Sequence, residues 1–170
     1  QQLKSQRKAV LAANFYNFET LSGILKAAAL VNKPVILQLS ESSIHYMGLG
    51  IASAMAKNAL REYGVEGWLH LDHGSSVEMV QRCLDHGFDS VMIDASEKPF
   101  DDNVRMTEAV VRLAEPYKAN VEAELGFVAK LGQQQASGKF TQPEEAVRFV
   151  SATGVHALAV AIGSAHGFYK

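Results

Sequence analysis

The stretch Gly67-Trp68-Leu69-His70-Leu71-Asp72-His73-Gly74-Ser75-Ser76 sets a carboxylate beside an imidazole at the end of an apolar run. Gly74 allows a turn, and Ser75 with Glu78 three residues on has the spacing of a capping box, so a helix is expected to start there. A strand that delivers Asp and His at its carboxyl end, just before a helix, forms a rim suited to acid–base or metal chemistry. Side chains alternate along a strand, so His70 and Asp72 share a face and His73 points the other way. Asp72 and His73 reach one cavity only if the strand finishes or bulges there, which Gly74 permits.

Three later strand ends bring similar residues. Ser90–Asp94 ends in a carboxylate, Asn120–Gly126 carries Glu122 and Glu124, and Ala157–Ile162 runs into Gly163-Ser164-Ala165-His166-Gly167. Two imidazoles, His73 and His166, with Asp94 and Glu124 between them in strand order, have the composition of a divalent metal site. Catalytic zinc usually has three protein ligands, so a third ligand is either missing or a carboxylate. Glu124 lies nearer its strand end than Glu122, which shares its face, and is the better ligand candidate. His70 reads as a supporting or structural residue, His45, His86 and His156 as ordinary helix or pre-strand residues, and Cys83 as a core residue.

The elements that must position these groups alternate strand and helix. Strands are expected at 9–14, 35–39, 67–73, 90–94, 120–126 and 157–162, with helices near 18–31, 50–63, 76–86, 99–115 and 142–153. Lys33-Pro34, Gly64, Gly87 and Pro116 punctuate them, and Pro143 falls in a helix first turn behind Thr141. Strands 35–39 and 157–162 are apolar throughout most of their length, as strands buried on both faces are. The alternation implies a parallel sheet with right-handed crossovers, which a doubly wound sheet and a (β/α)8 barrel both satisfy. Chemistry contributed by many strand ends favours the barrel; an open sheet gathers its ligands at one switch point. No Gly-x-Gly-x-x-Gly turn follows any strand, which argues against a dinucleotide site. The segment 127–140 is either a surface loop or a mobile active-site lid.

At 170 residues the sequence is the length of one domain, and with 48% hydrophobic and 20% charged residues it is ordinary for a globular protein. A formal net charge of −2 gives no basic surface for nucleic acid or membrane, and no run nears the roughly 20 apolar residues of a membrane span. Cys83, the single cysteine, excludes an internal disulfide and fits a reducing, cytoplasmic location. The polar start at Gln1 has no signal-type apolar stretch and no initiator Met, so the sequence is expected to be part of a longer chain.

Taken together, the motifs resemble the class II, metal-dependent ketose-bisphosphate aldolases, within them the fructose- and tagatose-bisphosphate group. The resemblance rests on Ala13-Asn14-Phe15 to Thr20, Pro34-Val35-Ile36-Leu37 to Ser40-Glu41, His70-Leu71-Asp72-His73-Gly74, Ser90-Val91-Met92-Ile93-Asp94, Val121-Glu122-Ala123-Glu124-Leu125-Gly126, and Ala159-Val160-Ala161-Ile162-Gly163 through His166-Gly167, in that order. It implies a (β/α)8 TIM barrel, of which residues 1–170 would supply about six of eight βα units, in a homodimer or homotetramer. It implies zinc on His73 and His166, a catalytic acid at Asp72, and Asp94 and Glu124 holding an alternative position for the metal, a second divalent or monovalent cation, or the ligands' orientation. Asn14 and Ser40 match residues facing a small sugar phosphate, and Gly167 and Lys170 the loop that meets a phosphate of dihydroxyacetone phosphate. The implied reaction is aldol cleavage or condensation of a ketose bisphosphate.

Three departures stand against the pattern. The family's third zinc histidine and the end of its phosphate site lie on strands beyond Lys170. The family's loop after strand 5 carries a proton-abstracting carboxylate, whereas 127–140 has no Asp or Glu. Ala95 follows Asp94 where the family usually has Gly. Two other readings therefore stand beside the aldolase: a non-catalytic or regulatory member of the same fold, and a zinc hydrolase in which Asp72 activates water.

Overall fold

A computed structural model of the chain describes residues 8–126 and 140–163. Six parallel strands follow one another across one sheet in chain order: β1 (Leu11–Asn14), β2 (Val35–Ser40), β3 (Gly67–Gly74), β4 (Ser90–Ile93), β5 (Asn120–Leu125) and β6 (Ala157–Val160). The sequential order decides between the two expected architectures. A doubly wound sheet reverses its order at a switch point, and this one does not; the six strands are successive βα units of a barrel wall. Among the described residues, six helices return the chain: α1 (Phe18–Val31), α2 (Glu41–Met47), α3 (Leu49–Glu62), α4 (Val77–Asp85), α5 (Phe100–Ala114) and α6 (Pro143–Thr153), with a 3-10 turn at Glu115–Tyr117.

The two faces of the wall differ in chemistry. Val35, Leu37 and Leu39 of β2 alternate with Ile36, Gln38 and Ser40, and only the first set is buried. With Leu69, Leu71, Val91, Ile93, Val121 and Ala123 they form the core beneath the helices. Each such leucine or valine contributes about 1.5–3 kcal/mol by leaving water. The other face carries the polar residues: Gln38, His70 and Ser90 sit level with one another, and Asp72 lies opposite Ser40. Apolar residues thus fix the wall to its helices and leave the concave side free for chemistry.

Local signals explain where the helices begin. Asn17 and Thr20 cap α1 reciprocally, the Thr20 N–H donating to Asn17 Oδ1 at 2.9 Å and the Asn17 N–H to Thr20 Oγ1 at 3.2 Å. The cap of α4 is Ser76, which accepts from the Met79 N–H at 3.1 Å, and not Ser75 as the Ser75–Glu78 spacing suggests. Ser75 lies one residue before that cap, and its backbone N–H donates to the Glu41 carboxylate. Pro143 opens α6 as expected, but Thr141 does not cap it; its hydroxyl donates to the Leu125 carbonyl. Helix α2 was not expected: Gly48, at φ 84°, separates it from α3, and the sequence signal is legible only from there on. The strand expected over 157–162 is shorter: β6 stops at Val160 and stands at the sheet edge among the described residues.

Candidate metal centre at the strand ends

The bulge expected from Gly74 is present. Leu71 pairs with Val91 and Gly74 with Ile93, so Asp72 and His73 together oppose the single residue Met92. His73 takes a left-handed conformation, φ 51°, unusual for a residue with a side chain. A regular strand would aim His73 at the helices; the bulge brings it to the same side as Asp72. Gly74 makes the crossing tight enough: a Cβ there would lie 2.6 Å from the Met92 carbonyl oxygen and 2.8 Å from Leu71 Cδ2.

From there His73 meets carboxylates from the neighbouring strands. Its Nδ1 lies 2.9 Å from Asp94 Oδ2 and 3.6 Å from Glu124 Oε2, and its Nε2 lies 4.0 Å from Asp72 Oδ1. Asp94 stands one residue beyond β4, where its Oδ1 accepts both the N–H and the hydroxyl of Ser96, at 3.2 and 2.7 Å. Glu124 is buried near the end of β5. The electrostatics follow. The hydrogen bond to Asp94 raises the His73 pKa above its ordinary value; burial opposes this, and the charges of Asp72, Glu124 and Asp94 add to it. Burial alone would raise the Asp94 pKa, but its hydrogen bonds from His73 and Ser96 outweigh that and hold it well below the usual carboxylate range.

The donor set fits a cation. One ring nitrogen of His73 and one oxygen each from Asp94 and Glu124 lie within 4.8 Å of one another. The site already favours positive charge, since it strengthens the proton on His73. An imidazole with two carboxylates suits a divalent ion such as zinc. Asp94 and Glu124 stand where a carboxylate third ligand would have to be. His166, Gly167 and Lys170 lie outside the described residues, as does the 127–139 part of the lid or surface loop.

Asp72 is held from the other side. Asn14 Nδ2 donates to its Oδ2 at 2.7 Å, and Gln38 Nε2 to its Oδ1 at 3.2 Å. Asn14 was singled out from the sequence for a substrate-side role; Gln38 was not singled out. Its signal was a polar residue inside the apolar run Val35-Ile36-Leu37-Gln38-Leu39, on the same face as Ser40. Ser96 was missed likewise. Ser40 is opposite Asp72 in the sheet and also caps α2, accepting from the Ser43 N–H at 3.4 Å.

Beneath the rim, His70 is 4% exposed and bridges to β4 through Nδ1 and the Ser90 hydroxyl at 2.8 Å. Its Nε2 lies 3.5 Å from Glu122 Oε2 without making a hydrogen bond to any described residue. Burial lowers the His70 pKa to about 4, with Asp72 opposing and His73 adding, so the ring is neutral near pH 7 and this contact is not an ion pair. Burial and the Asp72 charge raise the Glu122 carboxyl, His73 opposing. His70 therefore supports the wall, as expected. Cys83 is buried in the core, its thiol pushed up to about 12 by burial.

Comparison with known proteins agrees with this geometry. The family model described as fructose-bisphosphate aldolase class-II matches residues 1–170. A fructose-bisphosphate aldolase from Giardia intestinalis is 42% identical over 169 residues, 98% of this chain and 52% of that protein. A D-tagatose-1,6-bisphosphate aldolase subunit from Klebsiella oxytoca is 38% identical over 173 residues, 98% of this chain and 61% of that one. The crystal structure of the YdjI aldolase from Escherichia coli K12 superposes with a TM-score of 0.85 at 32% identity, over 99% of this chain and 60% of that chain. The chain thus spans between about half and three fifths of these relatives. With the sequential barrel wall, the His-Leu-Asp-His-Gly bulge and the whole-length match pointing the same way, the chain belongs to the class II fructose-bisphosphate aldolase family.

Proposed function

We propose that the protein carrying this chain is a metal-dependent aldolase. It breaks and forms the carbon–carbon bond of a ketose bisphosphate, fructose 1,6- or tagatose 1,6-bisphosphate, with dihydroxyacetone phosphate and an aldehyde on the other side. The observation that carries the reading is the position of His73, with Asp94 at 2.9 Å and Glu124 at 3.6 Å and Asp72 beside it at the strand ends.

His73, Asp94 and Glu124, with His166 from the segment after β6, would hold a divalent cation such as zinc. That cation would supply Lewis-acid stabilisation of the negative charge that develops on substrate oxygen as the bond breaks. The chain's own residues do the remaining work. Asp72 exchanges a proton with the oxygen of the aldehyde half. The amides of Asn14 and Gln38 occupy one lone pair on each Asp72 oxygen and so fix which direction the carboxylate presents to substrate. Ser40, level with Asp72, offers a hydroxyl to the sugar phosphate, while Gly167 and Lys170 meet its phosphate. The same reading takes residues 1–170 as part of one barrel domain in a cytoplasmic homodimer or homotetramer. No described helix is long and apolar enough to cross a membrane.

The test is triose phosphate release from fructose 1,6- and tagatose 1,6-bisphosphate by the full-length protein, before chelation, after it, and after zinc is restored. Turnover that stops on chelation and returns with zinc is the expected result. Turnover indifferent to chelator removes the metal from the chemistry. Bound zinc without triose phosphate release points to the hydrolase or the non-catalytic member.

A further inference from the structure

We infer that Glu41 is a positioning residue for His73, acting through the backbone of the turn after β3. The inference rests on the metal-centre reading above, in that it takes the placement of His73 to matter for cation binding.

A left-handed conformation is unfavourable for a residue with a side chain and persists only where its surroundings over-determine it. On the β4 side the constraints are backbone ones. Gly74 is in register with Ile93, and its carbonyl accepts the Asp94 N–H at 2.9 Å. On the β2 side the ladder cannot do the same. Pairing between β2 and β3 ends at Ser40 opposite Asp72, and the next residue, Glu41, leaves the sheet as the start of α2. The backbone of β2 therefore gives out at Asp72, one residue before His73.

The Glu41 side chain carries the connection further. Its Oε1 accepts the Ser75 N–H at 2.5 Å, two residues beyond His73. A hydrogen bond to an ionised carboxylate is among the stronger kinds. The carboxylate meets the backbone beyond His73 and is not among the donors gathered around the His73 ring, so it is a support for the turn and not a further ligand. The bond sits immediately before the Ser76 cap of α4, so the carboxylate pins the backbone between the bulge and the helix. His73 is thus held between a strand on one side and a single carboxylate on the other.

Two variants separate this role from ordinary stabilisation. Glu41→Gln keeps an acceptor oxygen at the same reach. Glu41→Asp keeps the negative charge in the first turn of α2 but is one methylene too short to meet Ser75. The full-length protein is stripped of metal and titrated with cobalt(II) and zinc, and the ring nitrogen and Nδ1-bound proton signals of His73 are recorded in the metal-free state. Glu41→Gln should bind cobalt(II) within about threefold of the parent, while Glu41→Asp should bind roughly ten to a hundred times more weakly, the usual loss when a support behind a ligand is removed. In Glu41→Asp the His73 Nδ1 proton signal should also broaden or shift. If Glu41→Asp binds metal as the parent does and keeps the His73 signals, with only a lower melting temperature, Glu41 is structural and the inference is wrong. If the parent binds cobalt(II) but releases no triose phosphate, the aldolase reading fails while the role of Glu41 stands or falls on the His73 signals.

Discussion

His73 reaches Asp94 across 2.9 Å, although a regular β3 would turn the two side chains to opposite faces of the barrel wall. The contact exists because the bulge opposite Met92 turns the imidazole inward, and Ser96 anchors the far oxygen of the carboxylate. Asp94 therefore orients the ring and raises its affinity for positive charge. Asp94→Ala removes a ligand oxygen together with the partner that orients the ring, so cobalt(II) or zinc binding should weaken by at least the roughly 10–100-fold that losing an orienting partner alone costs. In the metal-free protein the substitution should also let His73 lose its proton at a lower pH than in the parent, because the hydrogen bond that raises its pKa is gone. Metal titration and the imidazole NMR signals check both.

Gly74 tests the bulge itself. An added methyl would fall 2.6 Å from the Met92 carbonyl oxygen, and backbone cannot move aside as a side chain can. Gly74→Ala should cost about 1–3 kcal/mol of stability, the usual cost of overpacking a tight site. Because the strain falls next to His73, cation affinity should drop with it. Gly154→Ala is the control: φ is 67° there, so it is strained as well, but nothing lies within 4 Å and the site is far along the chain in a helix cap. It should lower the melting temperature and leave metal binding alone.

The strand ends were legible in the sequence because each follows an apolar run, and Gly74 pointed to the bulge that unites Asp72 with His73. Gln38 escaped because its role depends on register: only the pairing of β2 with β3 brings its amide to Asp72. The α4 cap was misread by one residue for a similar reason. Ser75 and Ser76 are equivalent in local propensity, and the backbone path out of the bulge, which no local pattern encodes, sets which hydroxyl meets the helix N–H. Helix α2 is seven residues long, too short for a periodic pattern to stand out.

Asp72 is gripped by two amides, and each can be removed separately. Asp72→Asn abolishes the proton-exchanging group and should lower kcat for aldol cleavage by about 10²–10⁴-fold with metal content unchanged. Gln38→Leu leaves Asn14 in place and frees one oxygen of Asp72 to rotate, so a smaller fall in kcat, about tenfold, is expected. A Gln38→Leu enzyme with unaltered kcat and a raised KM would move Gln38 from holding Asp72 to holding substrate.

His70 gives the fold a pH dependence of defined sign. Its pKa is about 4 in the folded wall and near 6.5 in the unfolded chain, so between those values the unfolded state binds more protons. Stability attributable to His70 is complete above about pH 6.5 and is lost as pH falls toward 4, by on the order of 3 kcal/mol. Glu122 acts with the opposite sign, because its raised carboxyl binds a proton more readily in the fold. His73, raised above its ordinary value, contributes fully below pH 6.5 and adds no slope in that window. The difference between parent and His70→Asn therefore isolates the ring. Asn keeps a polar group within reach of the Ser90 hydroxyl and cannot take up a proton. Urea unfolding from pH 7 to 4 should show the parent losing stability more steeply than the variant. Equal slopes would mean that His70 is already charged in the folded protein, paired with the Glu122 carboxylate 3.5 Å away.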